Sequence, residues 1–218
     1  TSMQNGRFPL VLGGDHSLSI GSVRGAAKYK KIGVIWLDAH GDFNTHLTTP
    51  SGNIHGMSLA ALCGLGDPRL TALYDEPVPV IDPGKVAIIG ARDLDLGEKD
   101  NLRSAGALVL SMEQVDRIGM VAALEQCIEQ VSRDVDGIYL SMDLDALDPR
   151  FAPGVGTPVP GGLTYREGHL ACEVVAETGK LIGMDVVEVN PILDEKNQTA
   201  KIAVEFACSA LGSRVWQG

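Results

Sequence analysis

Basic residues are scarce in this 218-residue chain: 18 Lys and Arg stand against 28 Asp and Glu, a formal net charge of −10. A surface of that sign repels a phosphate backbone or an anionic bilayer, so nucleic acid and membrane are not the expected partners. Long apolar runs are missing as well. None approaches the ~18 residues of a membrane span, and no basic segment leads into an apolar one as in a secretory leader. Cysteine is sparse. Cys63, Cys127, Cys172 and Cys208 lie far apart and form no Cys-x-x-Cys pair. They read as small buried apolar residues in a reducing compartment, which makes the cytoplasm the expected location. The Gly-containing segment Pro153 to Pro158 lacks the Gly-Lys-Ser/Thr ending of a P-loop, which argues against nucleotide phosphate binding.

What is present is an ordinary globular composition, 44% hydrophobic and 21% charged. Short apolar runs recur along the chain: Phe8 to Leu12, Ile32 to Leu37, Val86 to Ile89, Ala107 to Leu110, Gly137 to Met142 and Leu181 to Val189. Continuous rather than alternating runs predict strands covered on both faces. Helical patterns lie between them. Met120, Leu124, Cys127, Ile128 and Val131 make one apolar stripe within Gly119 to Arg133. Thr164 and Glu167 form a capping box that predicts a helix to about Thr178, stopped by Gly179. Asn197 or Thr199 should open a last helix reaching about Leu211. The expected fold class is α/β, a three-layer αβα sandwich with a mostly parallel, doubly wound sheet, in a single domain over residues 1–218. The long irregular stretches Gly41 to His55, Gly66 to Lys85 and Leu144 to Gly162 are candidates for function or mobility.

Three polar clusters each follow a strand candidate. Gly13-Gly-Asp-His16-Ser follows the first, Asp38-Ala-His40-Gly-Asp42 the second, and Asp143-Leu-Asp145 the fifth. The carboxyl edge of an open α/β sheet is where ligands bind. In extended chain, side chains at i, i+2 and i+4 point the same way, so Asp38, His40 and Asp42 can converge on one point. Asp143 and Asp145 can converge on another. Carboxylates so close repel unless a cation lies between them. Four carboxylates with two imidazoles suit manganese, and magnesium or calcium less well, with zinc and iron left open. Six ligands are too many for one metal with open positions and suit two, whose +4 balances the four Asp. A lone Asp at a strand end reads as a helix N-cap, and Asp15 and Asp148 fit that role. His55, in the polar segment Ser51-Gly-Asn53-Ile-His55-Gly, reads as either a proton shuttle or a loop histidine. Glu188, in the apolar run Met184 to Pro191, needs a partner. A cationic substrate group, a helix dipole or a buried Arg would each serve. His46 reads as loop surface and His169 as a helix residue.

In this order, Gly-Gly-Asp-His, Asp-Ala-His-x-Asp and Ser-x-Asp-x-Asp resemble the ureohydrolase family of arginases, agmatinases and formimidoylglutamases. The resemblance runs from about residue 7 to the C-terminus. It implies two manganese ions held by His16, Asp38, His40, Asp42, Asp143 and Asp145. The first would take His16, Asp38, Asp42 and Asp145, the second Asp38, His40, Asp143 and Asp145, with Asp38 and Asp145 bridging. The arginase branch is the nearest likeness, particularly its bacterial members. That likeness implies that Asn44, Ser51 and Asn53 contact a substrate α-carboxylate. Asp95, helped by Glu98, would read the α-amino group, and Thr157 and Glu188 would line the guanidinium site. Catalysis would fall to His55, Asp42, Asp145 and Glu188, with a metal-bridging hydroxide attacking L-arginine to give L-ornithine and urea. An agmatine-type substrate would not need Asn44, Ser51 and Asn53 as a set. The family resemblance also implies a homotrimer or homohexamer. Two departures stand out. Ala146 follows the last motif where the family usually has Gly, and the chain opens at the Gly-Gly-Asp-His strand, without the segment that family members carry before it. The expectation is therefore an N-terminally truncated domain whose first strand has an unpaired edge. A sibling amidinohydrolase and an inactive scaffold are the alternatives.

Overall fold

A computed structural model of the chain describes residues 2–73 and 78–216. Six strands form one sheet: β1 (Leu10–Leu12), β2 (Ile32–Leu37), β3 (Val86–Ala91), β4 (Leu108–Ser111), β5 (Gly137–Asp143) and β6 (Leu181–Val187). All pairings are parallel, in the order β1-β6-β5-β2-β3-β4. The helices are α1 (Ser19–Ala27), α2 (Ser58–Leu62), α3 (Pro68–Thr71), α4 (Leu96–Ala105), α5 (Met112–Ile118), α6 (Met120–Val131), α7 (Tyr165–Glu177) and α8 (Gln198–Ala210).

Every residue of β2, β3 and β5 is buried, because helices cover both faces. Strand alternation splits these residues between two cores. Ile35, Leu37, Ala87, Ile89, Leu140 and Met142 pack under α5, α6, α7 and α8. Val34, Trp36, Val86, Ile88 and Tyr139 pack on the opposite side against α1, α2 and α4. This is the expected three-layer sandwich. Gly90 marks a bulge in β3 with φ of 101°, and a Cβ there would stand 3.0 Å from the Asp38 carbonyl oxygen. Only glycine lets β3 pass so close behind the polar cluster.

Several boundaries differ from the sequence reading. β1 begins at Leu10 rather than Phe8, since Pro9 has no amide hydrogen to give a ladder. β6 stops at Val187 rather than Val189, where Glu188 turns to a left-handed φ of 63°. The Thr164–Glu167 capping box opens α7 as expected. α8 follows Asn197, but its cap is Asp194, whose carboxylate accepts from Thr199 N and Ala200 N. Cys208 is exposed, not buried. It lies on the outer side of α8 with Val204 and Leu211, while Cys63, Cys127 and Cys172 are buried. Of the long stretches, residues 41–54 hold no helix or strand, and a 3-10 turn at Leu144–Ala146 opens the last. Ala146 keeps a negative φ, so it replaces Gly without strain. Part of the Gly66 to Lys85 stretch, residues 74–77, lies outside the described residues. β1 is an edge strand with no partner on its outer side among the described residues, and Leu12 is 64% exposed there.

Candidate metal centre

The chain turns back at β2. After β2 it winds outward to β3 and β4, then returns to place β5 on the other side of β2. The carboxyl ends of β2 and β5 flank this switch point, the crevice where an open α/β sheet binds ligands. Asp38, His40 and Asp42 leave β2 there. Asp143 ends β5, Asp145 sits in the following 3-10 turn, and His16 arrives from the turn after β1. The His16 ring stacks on Trp36, centroids 4.1 Å apart and planes 7° apart.

His16 Nδ1 lies 3.2 Å from Asp38 Oδ2, 3.1 Å from Asp42 Oδ2 and 3.0 Å from Asp143 Oδ2. His40 Nδ1 lies 3.3 Å from Asp38 Oδ1 and 3.1 Å from Asp145 Oδ2. Asp38 thus turns one oxygen to each imidazole. Two groups with metal-ligand geometry result, His16–Asp38–Asp143 and Asp38–His40–Asp145. The expected partition is corrected: Asp143, not Asp145, faces His16 and is absent from the His40 group, Asp145 does not bridge the two, and His40 and Asp42 turn to different groups rather than to one point. Asp143 still follows the β5 alternation, whereas Asp145 swings toward His40 in the 3-10 turn. Both Asp145 oxygens are already engaged, Oδ1 by Ala39 N at 3.2 Å and Oδ2 by Thr157 Oγ1 at 2.9 Å.

The electrostatics are those of a site built around positive charge. Burial opposes the charged form of both imidazoles, but the carboxylates beside them win. His16 is held well above its usual value by Asp143, Asp38 and Asp42, and His40 is raised to about 12 by Asp145 and Asp38. Burial and the Asp38 charge push Asp42 up to about 6, and burial with Asp145 and Asp38 raises Asp143 well above the carboxylate range. Asp38 alone is lowered: burial would raise it, but contacts with His16 and His40 prevail.

The residues fit a cation. His16 Nδ1 and Asp42 Oδ2 are buried without a hydrogen-bond partner, although they lie 3.1 Å apart. Buried polar atoms are rarely left unpaired. Here they aim at one point among hard oxygen donors, which is the donor set of a divalent metal.

Above the centre lies a cavity of about 230 Å³ whose wall includes His40, Asn44, Ser51, Asn53, His55, Asp95, Glu98 and Thr157. Six carboxylates line it (Asp42, Asp93, Asp95, Glu98, Asp143 and Asp145), with no Lys or Arg among the described lining residues. Asn44 donates to Asp95 Oδ2 at 2.9 Å and accepts from Thr48, and Ser51 Oγ accepts from Asn53 N. Glu98 is 3% exposed and accepts from Phe43 N and Asp95 N, fastening the loop after Asp42 to the start of α4. Burial raises its carboxyl to about 7. Glu188 accepts from His16 N at 2.7 Å and stands 3.8 Å from His55 Nδ1, which raises the His55 imidazole above its ordinary value. Asp15 caps the turn at His16–Leu18 by accepting from Ser17 N, and Asp148 accepts from Arg150 N and Gly161 N. His46 is exposed, and His169 lies in α7.

Sequence reasoning gave no role to three residues around the centre. Trp36 Nε1 donates to Asp38 Oδ2 at 3.0 Å. Ser141 Oγ lies 2.8 Å from His16 Nε2. Arg92 has no carboxylate within ion-pair reach among the described residues. Its guanidinium donates to the backbone carbonyls of Gly90, Asp145, Ala146, Leu147, Val159 and Pro160, stapling the Asp145 turn to the Thr157 loop. Ser141 carried a readable signal, since it is polar inside an apolar strand two residues before Asp143. Arg92 carried none, because its partners are main-chain atoms distant in sequence.

Comparison with known proteins agrees with this geometry. The sequence model of the arginase family matches residues 1–212. Arginase of Bacillus caldovelox is 54% identical over 214 residues, covering 98% of this chain and 71% of the relative. The crystal structure of Bacillus cereus arginase superposes with a TM-score of 0.95 at 55% identity, over 99% of this chain and 75% of that one. The structure of Entamoeba histolytica arginase, solved in complex with L-ornithine, gives 0.87 at 35% identity, over 94% and 70%. Family model, sequence and fold agree over nearly the whole chain, and on these grounds it belongs to the arginase family.

Proposed function

We propose that the chain is an arginase, a binuclear manganese amidinohydrolase that cleaves L-arginine to L-ornithine and urea. The observation that carries this is the pair of imidazole–carboxylate groups sharing Asp38 beneath a cavity lined with carboxylates and free of Lys and Arg among the described lining residues. Such a cavity selects a cationic ligand. His16, Asp38, Asp42 and Asp143 would hold one ion, and His40, Asp38 and Asp145 the other. When bound, two divalent cations acidify water to a nucleophile near neutral pH and stabilise developing negative charge.

The remaining roles belong to the chain. Glu188, held by His16 N and facing His55, would orient the guanidinium by charge-assisted hydrogen bonds, and Thr157, bonded to Asp145, lines the cavity. Asn44, Ser51 and Asn53 offer neutral donors to an α-carboxylate, and Asp95, set in place by Glu98, faces the α-amino group. A C–O bond forms at the guanidinium carbon as its C–N bond to the ornithine side chain breaks. The leaving amine needs a proton. Asp145 and Asp42, both in the cavity wall, are the carboxylates that would pass it on. His55, partly exposed and raised by Glu188, exchanges protons with solvent. The free cysteines support a reducing, cytoplasmic setting. Exposed Ile192, Leu193, Val204 and Leu211 support self-association, read as a homotrimer or homohexamer.

Urea release by the manganese-loaded protein, compared on L-arginine and agmatine, tests the proposal. Arginine-selective turnover is expected. Faster turnover of agmatine would reassign the chain to a sibling amidinohydrolase. Metal binding with no urea from either substrate would leave a scaffold.

A further inference from the structure

Asp185 lies in the middle of β6, wholly buried, and forms no ion pair among the described residues. An isolated buried carboxylate is costly and needs donors. Four hydroxyls converge on it. Ser19, Ser22 and Tyr139 donate to Oδ2 at 3.0, 2.6 and 3.2 Å, and Ser141 donates to Oδ1 at 2.6 Å. Ser141 Oγ also lies 2.8 Å from His16 Nε2. A hydroxyl has one hydrogen, and a carboxylate can only accept. Ser141 must therefore spend its hydrogen on Asp185 and accept from His16. That holds a hydrogen on Nε2, so once the imidazole is neutral, as a metal ligand must be, Nδ1 is the nitrogen whose lone pair faces Asp38, Asp42 and Asp143.

We infer that Asp185 is a positioning residue that fixes, through Ser141, the tautomer in which His16 presents Nδ1 as a ligand. The inference rests on the reading of His16 as a metal ligand. It extends the rule that the second nitrogen of a ligating histidine is held by an acceptor, here across one serine.

The asymmetry of the cluster makes the inference sharp. In Asp185→Asn the amide carbonyl belongs on the side with three donors, so the amide NH2 falls opposite Ser141. Ser141 must then accept from the amide and donate to His16 Nε2, which moves the imidazole hydrogen onto Nδ1 and blocks ligation. In Ser141→Ala no hydroxyl imposes either tautomer. Equilibrium binding of manganese to metal-depleted protein, by calorimetry, reads the difference. Asp185→Asn should weaken one of the two sites by ~10-fold or more, and Ser141→Ala by less. The double variant should recover toward Ser141→Ala, a rescue that a merely structural role would not produce. Unchanged affinity in Asp185→Asn, or a double variant worse than either single, overturns the inference. Should Asp185→Asn fail to fold, Ser141→Ala decides: weakened binding with an unshifted metal-free melting temperature supports the relay, and unchanged binding overturns it. His16→Ala separates the two levels. If it binds both ions like the unmodified protein, the metal-site reading itself falls. If it loses one ion while Asp185→Asn loses none, only the relay falls.

Discussion

Loading the centre with metal should expel at least two protons per chain near pH 7.5, one from each imidazole, with any proton held by the raised Asp143 carboxyl adding to the count. Each imidazole faces one ligand group, His16 with Asp38 and Asp143, His40 with Asp38 and Asp145. Without metal both are raised, His40 to about 12 and His16 well above 6.5, so both are cationic at neutral pH. A metal ligand must be neutral imidazole, so binding releases one proton per imidazole. The affinity of each site should then rise by at least one log unit per pH unit, or ~100-fold or more between pH 6.5 and 8.5. The same groups fix the sign of the stability effect. A raised imidazole stabilises the metal-free fold fully below its unfolded value near 6.5, and that contribution is lost as pH rises toward about 12. The melting-temperature gain on adding manganese should therefore widen with pH. Calorimetry in buffers of different ionisation enthalpy counts the protons directly, and His40→Asn should lower the count by about one. A count near zero, with affinity flat across this range, would refute the assignment of the imidazoles as ligands.

Two further outcomes follow from the surroundings of the centre. Arg92→Met removes donors from the Asp145 and Leu147 carbonyls of the buried metal loop and unfastens the Val159 segment, so it should destabilise the fold by ~1–3 kcal/mol and weaken metal binding, as read by urea denaturation with and without manganese. Glu98, raised to about 7, contributes stability that is full below its unfolded value near 4.5 and lost as pH rises through 7. Relative to Glu98→Gln, the metal-free protein should therefore lose on the order of 2–3 kcal/mol between pH 5 and 8, measured by chemical denaturation at both values.

Much of this architecture was legible in the chain. β2 and β5 read correctly because strands covered on both faces need continuous apolar runs. The Asp38, His40, Asp42 spacing marked the donors but not their directions: the chain bends after β2 and Asp42 takes a left-handed φ of 50°, so Asp42 turns to His16 while His40 turns to Asp145. The Thr164–Glu167 box named its helix start for a local reason. Asp95 and Glu98 show where local reading becomes ambiguous. The pair forms the capping box of α4 and also lines the cavity. Asp185 shows a signal passed over. A charge inside an apolar strand needs partners, and Asp185 carries that signal as plainly as Glu188 three residues later.

The sequence by itself determined the α/β class, the donor types and their placement at strand ends, because hydrophobic period and residue chemistry are local properties. The pairing of donors was decided only by the tertiary structure. Which aspartate faces His16 depends on the strand order β6-β5-β2 and on the 3-10 turn that carries Asp145 aside. The tautomer of His16, the Arg92 staple and the exposure of Cys208 depend likewise on contacts between residues far apart in the chain. Such contacts follow from how the layers pack, and no local pattern encodes them.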